Sequence, residues 1–359
     1  MKKITRQTLM LMIISFVCHF SAAEENDASK IFSPALFQKI IHATEKAFAD
    51  DLLDSLKEFE AIKDEIPNSP VGYLYLVAVL DKLQSDYMTD YREEDFPELF
   101  RNAHEVGEAY IRNHPGDPVG YLYLGGIQGY YSLHYYRVKG LFSAFTHGLR
   151  AINNLKIANR MNPELWDTYY GLGTYTYWKA EKAGFLFLFT GKRKSEKEKG
   201  IRYLVTAAEK GTYSSAEARG SLVRVLINEH LYDEALQWLN IGIEKYPTSA
   251  YQFRFRIEIY IQKKEWSTAL KDSIQLEKIL SSKPYTGPDA WIHLYYYMGL
   301  CHKKLNQMEE AKEAFKKCIE TEEKYNEKVL LYHSLVFKAR KESRKLENKE
   351  DPNADQPSS

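Results

Sequence analysis

The sequence is poor in the residues and runs that would place it in several common classes. Three cysteines in 359 residues are too few for the disulfide frameworks of small secreted domains. Lysine plus arginine equals aspartate plus glutamate, 49 against 49, which removes the basic footprint expected of a nucleic-acid binder. Twelve prolines and nineteen glycines leave long stretches without helix breakers. Beyond the first two dozen residues, no apolar run approaches the roughly 20 needed to cross a bilayer as a helix.

Motifs that carry chemistry are also missing. There is no HExxH, CxxC or GxSxG. GFLFLFTGKR (184–193) puts six residues between its glycines where a phosphate loop needs four, and Arg193 follows Lys192 where Ser or Thr is required. GLGTYT lacks the third glycine of a dinucleotide fingerprint. His293 and His302 stand nine residues apart, without ligand spacing. The expectation is therefore no catalytic residue, no cofactor and no metal.

What is present begins with a leader. MKKITRQT is basic, LMLMIISFVCHF is apolar, and SAA precedes EEND. This reads as a signal peptide, residues 1–23, cleaved near Ala23. The expectation is an exported chain of a bacterial periplasm or cell envelope, soluble after cleavage. Cys18 follows Val17, where a lipid-attachment box has a small residue, so lipidation is not favoured. Cleavage removes Lys2, Lys3 and Arg6 and leaves 46 basic against 49 acidic residues.

An internal repeat follows. PVGYLYL occurs at Pro70–Leu76 and again at Pro118–Leu124, and WDTYYGLG begins a further 48 residues on, at Trp166. Tyr73, Tyr121 and Tyr169 align, as do Pro67, Pro115 and Pro163, each placed to end a helix. After residue 200 the period shortens. Ala235, Leu239, Gly242 and Pro247 are spaced by four, three and five, and Ala269 follows Ala235 by 34. Gly299, Ala311, Phe315 and Cys318 make another copy. Ala235, Leu236, Leu239, Ile243 and Tyr246 recur at helical steps. GYLYL and GTYTYW alternate like strands, but their position after a helix-ending proline favours helix starts.

Small–x3–large–x2–small–x4–Pro, with a glycine a dozen residues upstream in the last copy, resembles the tetratricopeptide repeat, a 34-residue helix–turn–helix. The segment GLGTYTYW…AGFLFLF…EKGIRYLVTAAEKG…AEA more distantly resembles the tetratricopeptide repeat 39, or inclusion-body-clearance, group. The resemblance implies an all-α fold, an α-α superhelix of antiparallel helix pairs, with 48-residue units followed by 34-residue units. The solenoid is expected over 33–345, with an insertion at 179–199 and a capping helix at 326–344. Residues 346–359 are polar and are expected to be disordered.

The resemblance also implies a function: a non-catalytic scaffold or adaptor that binds a protein or peptide partner. In this family the first helix of each pair lines the concave face, which implies that Leu122, Tyr170, Thr174, Tyr177, Arg224, Arg254 and Glu258 face a partner. Tyrosine is the compositional outlier, with 27 residues. It suits such a surface, and it equally suits core packing with a polar tip. A second reading places Phe185, Phe187 and Phe189, with Lys192, Arg193 and Lys194, on a loop that touches a membrane surface or partner. In the alternative, those rings pack on the solenoid and the cations are solvated. A third reading is a closed α/α toroid acting on carbohydrate, which the change of period disfavours. Nucleic acid is not expected as a partner. Cys301 and Cys318 are not expected to form a disulfide. Their positions in one helix hairpin offset them by roughly 7–10 Å along the axes, in addition to the 8–10 Å between helices, whereas bridged Cα atoms lie within about 7 Å.

Overall fold

The computed structural model describes residues 33–139, 141–182, 192–325 and 333–350. Contacts divide the chain after Ile41. The described part of the first unit is the opening of one helix, where Ser33 Oγ accepts the N–H of Leu36 at 3.2 Å and Pro34 takes the first helical position, where a missing N–H costs nothing. The rest of that helix and all later ones belong to the second unit.

The described residues contain fifteen α-helices. They are α1 (Pro34–Phe48), α2 (Leu52–Glu65), α3 (Pro70–Asp86), α4 (Phe96–Asn113), α5 (Pro118–Lys139), α6 (Leu141–Met161), α7 (Thr168–Lys182) and α8 (Arg193–Lys210). Then follow α9 (Ser215–Asn228), α10 (Tyr232–Lys245), α11 (Ala250–Gln262), α12 (Trp266–Ser281), α13 (Pro288–Lys304), α14 (Met308–Lys324) and α15 (His333–Glu350). One turn of 3-10 helix, Glu93–Asp95, precedes α4. No strand occurs among the described residues, and GYLYL and GTYTYW are helical.

The helices are antiparallel pairs in series, an all-α helical-repeat superhelix. First helices start at Pro70, Pro118, Thr168 and Ser215, close to 48 residues apart, and then at Ala250 and Pro288, nearer the ordinary family length. The long period has visible sources: the link with the 3-10 turn between α3 and α4, and the 22-residue α5 packed on the 21-residue α6. Both ends of the segment 179–199, expected as an insertion, are helical: α7 runs to Lys182 and α8 begins at Arg193. At the other end the last helix, expected over 326–344, is described over His333–Glu350, so residues 346–350 are helical where disorder was expected from residue 346 on.

Prolines 67, 115 and 163 each lie two residues past a helix end, at Glu65, Asn113 and Met161. Pro70, Pro118 and Pro288 open the next helices, where the ring's fixed φ is already helical. Small residues set the interhelical approach. A Cβ on Gly173 would lie 2.9 Å from the Gly200 carbonyl oxygen, and one on Gly299 would lie 2.6 Å from the Phe315 ring. Ala235 and Ala311 are fully buried at equivalent crossings. Tyr177, Leu204, Leu222, Val225, Leu239 and Ile259 form one core cluster. Ile292, Phe315 and Cys318 form another with Leu335 and Val336 of α15, which covers the end of the array. Cys301 and Cys318 are free, buried thiols, and burial pushes both up to about 12.

The turn between α8 and α9 is fixed from a distance. Buried Asp167, just before α7, accepts the backbone N–H of Tyr213 at 2.8 Å, of Ser214 at 2.7 Å and of Thr212 at 3.3 Å, and the Ser214 hydroxyl at 2.8 Å.

Candidate functional site

α3 differs from its neighbours because it is buried on every side. Val71, Tyr75, Leu76, Val77, Leu80, Asp81, Leu83, Gln84 and Asp86 are all inaccessible. A helix apolar or paired all round belongs to an interior, and here that interior is the inside of the superhelix. Residues 42–91 meet residues 245–287 directly. Glu45 accepts from Lys245 Nζ at 2.9 Å and from Tyr246 Oη at 2.8 Å. The Thr248 hydroxyl donates to the Ala49 carbonyl at 2.9 Å. Lys283 Nζ donates to the Asp50 carbonyl at 2.6 Å, and the Gly287 N–H donates to the Tyr87 carbonyl at 2.9 Å. Only a glycine fits there, since a Cβ at 287 would stand 1.9 Å from the Met88 carbonyl oxygen. Tyr87 donates to Asp50 Oδ2 and packs edge-on against Tyr285 at 4.9 Å.

What remains of the concave space is a cavity of about 180 Å³ between α3, α9, α10 and α11, closed further by α1, α5 and α7. α3 contributes Asp81, Lys82 and Asp86. These are largely satisfied within the fold: Lys82 pairs with Asp86, and Arg137 Nη2 reaches Asp81 Oδ1 at 2.7 Å. Aromatic walls come from Tyr130, Tyr170, Trp238 and Tyr251. Burial pushes the Tyr170 phenol up to about 12. The Tyr251 hydroxyl donates to the Gly220 carbonyl at 2.7 Å.

α9 supplies the unusual chemistry. Glu217, Gly220 and Arg224 face the cavity at three- and four-residue spacing, one stripe of a helix. Glu217 Oε2 meets neither solvent nor a hydrogen-bond donor, and burial, with Asp167 adding to it, pushes this carboxyl up to about 7 against the lowering effect of its own backbone N–H, then of Lys82 and Arg219. Arg224 lines the cavity and is exposed to solvent. Its guanidinium has no hydrogen bond or ion pair among the described residues, and Tyr251 foremost, then Tyr170 and Asp86, hold it firmly protonated. The other lining cations are engaged: Lys82 by Asp86, Lys245 by Glu45 and Arg219 by the Ser215 hydroxyl.

The structure therefore scatters the seven residues expected on a concave face. Tyr170 and Arg224 line the cavity. Leu122 is buried in α5. Tyr177 is a core residue whose hydroxyl donates to Glu229 Oε1 at 2.5 Å and accepts from Asn228 Nδ2 at 2.7 Å. Thr174 is half-buried, with no partner for its hydroxyl. Arg254 is taken up by the fold itself: its Nη1 donates to the carbonyls of Asp86 at 2.9 Å and Ser85 at 3.3 Å, capping the C-terminus of α3. Glu258 lies one turn beyond, and burial raises its carboxyl while Arg254 opposes the rise. The sequence reading missed Glu217, Gln252 and the α3 carboxylates, which carry no motif; only their spacing on helices that turn out to face inward marks them.

Of the second set, Phe185, Phe187 and Phe189 lie outside the described residues, as does the leader 1–23. Arg193 Nη2 is paired with Glu181 Oε2 at 3.0 Å, and Lys192 and Lys194 are exposed. No described helix is long and apolar enough to cross a membrane. Among the described residues, no group of three or more His, Cys, Asp or Glu is placed to hold a metal ion.

Outside the cavity, exposed apolar side chains concentrate on one hairpin. Leu133, Tyr136 and Val138 on α5 and Leu149 on α6 are exposed, and Leu133 also lines the cavity rim.

No protein-family model matches the sequence, and no curated protein does. Solved structures do match. A chain of the APC/C hetero-tetramer Cut9–Hcn1 is 14% identical with a TM-score of 0.53, over 92% of this chain and 55% of that one. This chain thus spans about half the length of that protein. YrrB, a TPR protein with an unusual peptide-binding site, is 15% identical with a TM-score of 0.43, over 66% of this chain and 99% of that one. The C-terminal part of a TPR repeat-containing protein from Cytophaga hutchinsonii is 14% identical with a TM-score of 0.42, over 79% and 95%. At such identities the likeness shows the fold alone, a superhelix of the tetratricopeptide kind.

Proposed function

We propose that this chain is an exported, non-catalytic scaffold that binds a protein partner on the exposed apolar residues of the α5–α6 hairpin. The observation that carries this reading is the cluster of exposed Leu133, Tyr136, Val138 and Leu149 on the longest hairpin of the array. Exposed apolar residues are ordinary singly, but several on one hairpin mark an interaction surface. The interior is not the docking face for an extended partner segment. Its 180 Å³ falls below the roughly 300–1,000 Å³ of ordinary ligand pockets, because α3 fills the space. A helix-pair superhelix suits this role, since it presents a rigid surface whose parts contact only sequential neighbours. Export rests on the basic leader, the apolar stretch and Ser21–Ala22–Ala23.

The test is crosslinking and affinity capture from envelope extract, comparing the wild type with Tyr136→Glu plus Leu149→Glu. The variant should keep its melting temperature and lose the captured partner. An identical partner list would refute the hairpin as the docking face, and a recovered chain that still begins at Met1 would refute export.

A further inference from the structure

Residues 118–163 contain no aspartate or glutamate, in a chain that has 49 of them. The run takes in all of α5 and α6. Its cations are Arg137, Lys139, Arg150, Lys156 and Arg160. Arg137 is taken up inside the fold, with Nη2 2.7 Å from Asp81 Oδ1. Arg150, Lys156 and Arg160 are exposed on α6 and have no ion pair among the described residues. Other surface helices match their own charges. On α4, Arg101 meets Glu98 at 3.7 Å and Arg112 meets Glu108 at 3.8 Å. On α14, Lys312 meets Glu309 at 3.2 Å and Lys316 meets Glu320 at 3.8 Å. α6 has no carboxylate of its own. Arg160 lies in the last turn, where the helix dipole favours a cation, but Arg150 and Lys156 lie further in and have no such reason to be there.

Helix geometry gathers these cations. Leu149, Arg150, Asn153, Lys156, Arg160 and Met161 are all exposed, and at 3.6 residues per turn they fall within about 140° of the helix circumference. The stripe has an order. Leu149 and Met161 are its apolar ends, roughly 18 Å apart along the axis, and the three cations stand between them. Each guanidinium fork matches a carboxylate with two parallel hydrogen bonds, and the lysine offers a point charge. Two apolar side chains are too few for insertion into a membrane interface, which uses a continuous apolar face. They suffice as anchors at the two ends of a polar contact with another protein.

We propose that this stripe of α6 docks an acidic segment of a protein partner, whose carboxylates meet Arg150, Lys156 and Arg160 and whose apolar side chains cover Leu149 and Met161. The proposal rests on the reading of the α5–α6 hairpin as the docking surface and adds the chemistry of what docks there. The absence of acids over the whole hairpin serves the same end. A carboxylate on α5 or α6 would pair with these cations and repel the partner, whereas an unmatched cationic stripe attracts an acidic segment and turns away a basic one.

Fluorescence anisotropy on the purified full chain tests this with defined probes. The first is a labelled glutamate-rich peptide with two leucines spaced as Leu149 and Met161 are. The second has lysine in place of every glutamate. The third is vesicles of phosphatidylcholine and phosphatidylglycerol, read by co-sedimentation. The glutamate peptide should bind saturably below about 100 μM at low salt and weaken as salt screens the exposed charges. The lysine peptide and the vesicles should not bind. Arg150→Gln, Lys156→Gln and Arg160→Gln together should weaken the glutamate peptide about 10-fold, the summed effect of three exposed pairs. All three side chains are exposed, so the melting temperature should not move. The proposal is overturned if the glutamate peptide fails to bind at about 1 mM, if the lysine peptide binds as tightly, if the triple variant keeps full affinity, or if vesicles bind in the peptide's place. Partner capture separates this from the reading beneath it. A captured partner that ignores Tyr136→Glu plus Leu149→Glu refutes the hairpin itself. One that needs the hairpin but binds the triple glutamine variant as well as wild type refutes only the partner's acidic character.

Discussion

Replacing Glu217 by glutamine should change how the stability of this protein depends on pH. The native carboxyl is raised from 4.5 to about 7, with burial as the main cause. A carboxyl whose native pKa lies above its unfolded value binds more protons when folded. The sign is therefore fixed: its relative contribution to stability is fully present below about pH 4.5 and is lost as the pH rises through 7. Each tenfold change in proton affinity corresponds to about 1.4 kcal/mol, so the full displacement corresponds to about 3 kcal/mol, of which about 2–3 kcal/mol falls between pH 5 and pH 8. Glutamine has the same shape and cannot ionise. Relative to wild type, Glu217→Gln should be more stable at pH 8 by about 2–3 kcal/mol than the same comparison gives at pH 5. In a chain of this size that is a change of roughly 3–4 °C in the melting-temperature difference. Buried His293, pushed down to about 3 by burial and by Arg254, acts with the opposite sign between about 3 and 6.5. It is common to both proteins and cancels in the difference. Thermal melts by circular dichroism at pH 5, 6, 7 and 8 on both proteins suffice. A melting-temperature difference that is the same at pH 5 and pH 8 would show that Glu217 is not buried against the cavity wall as described.

Two further perturbations probe the fold. Arg254→Ala removes two hydrogen bonds from a guanidinium to the end of α3, which should cost about 2 kcal/mol; the lost cap should also speed proteolysis between residues 87 and 95, and an unchanged cleavage rate there would count against the latch. Gly299→Ala places a Cβ 2.6 Å from the Phe315 ring and should destabilise by about 1–3 kcal/mol through overpacking, whereas a neutral result would show that α13 and α14 can move apart freely.

The repeat was legible in the sequence because the devices that start and stop its helices are local. Pro67 and Pro70, or Pro115 and Pro118, bracket each turn wherever the chain runs next. Close crossings at Gly173, Gly299, Ala235 and Ala311 were legible for the same reason, since a helix pair is built from residues near in sequence. The inside of the superhelix was not. Whether Arg254 faces a partner or the end of α3 depends on the rotation accumulated over roughly 170 residues, and no local pattern records that sum. α3 gave one hint, an apolar character on all faces, which marks an interior helix but not what surrounds it. Tyr177 shows the opposite failure. It occupies the right helix for a concave face, yet its ring packs under Leu204 and Leu222, and only the hydroxyl meets polar partners. Asp167 carries no motif, although it holds the whole α8–α9 turn.

The meeting of residues 42–91 with residues 245–287 changes how the chain must come apart. In an open array each repeat touches only its sequential neighbours, so unfolding can begin at an end and peel inward one unit at a time. Here α3 is held by Arg254 and Gly287 as well as by its neighbours in sequence. The early pairs cannot leave without exposing α11 and α13, and the later pairs cannot leave without stripping the cover from α3. Loss of either end is therefore loss of both, and melting should be one concerted transition. The same contacts, close to 200 residues apart in sequence, form late and slowly, so a nascent chain would hold an uncovered α3 until α11 has been made.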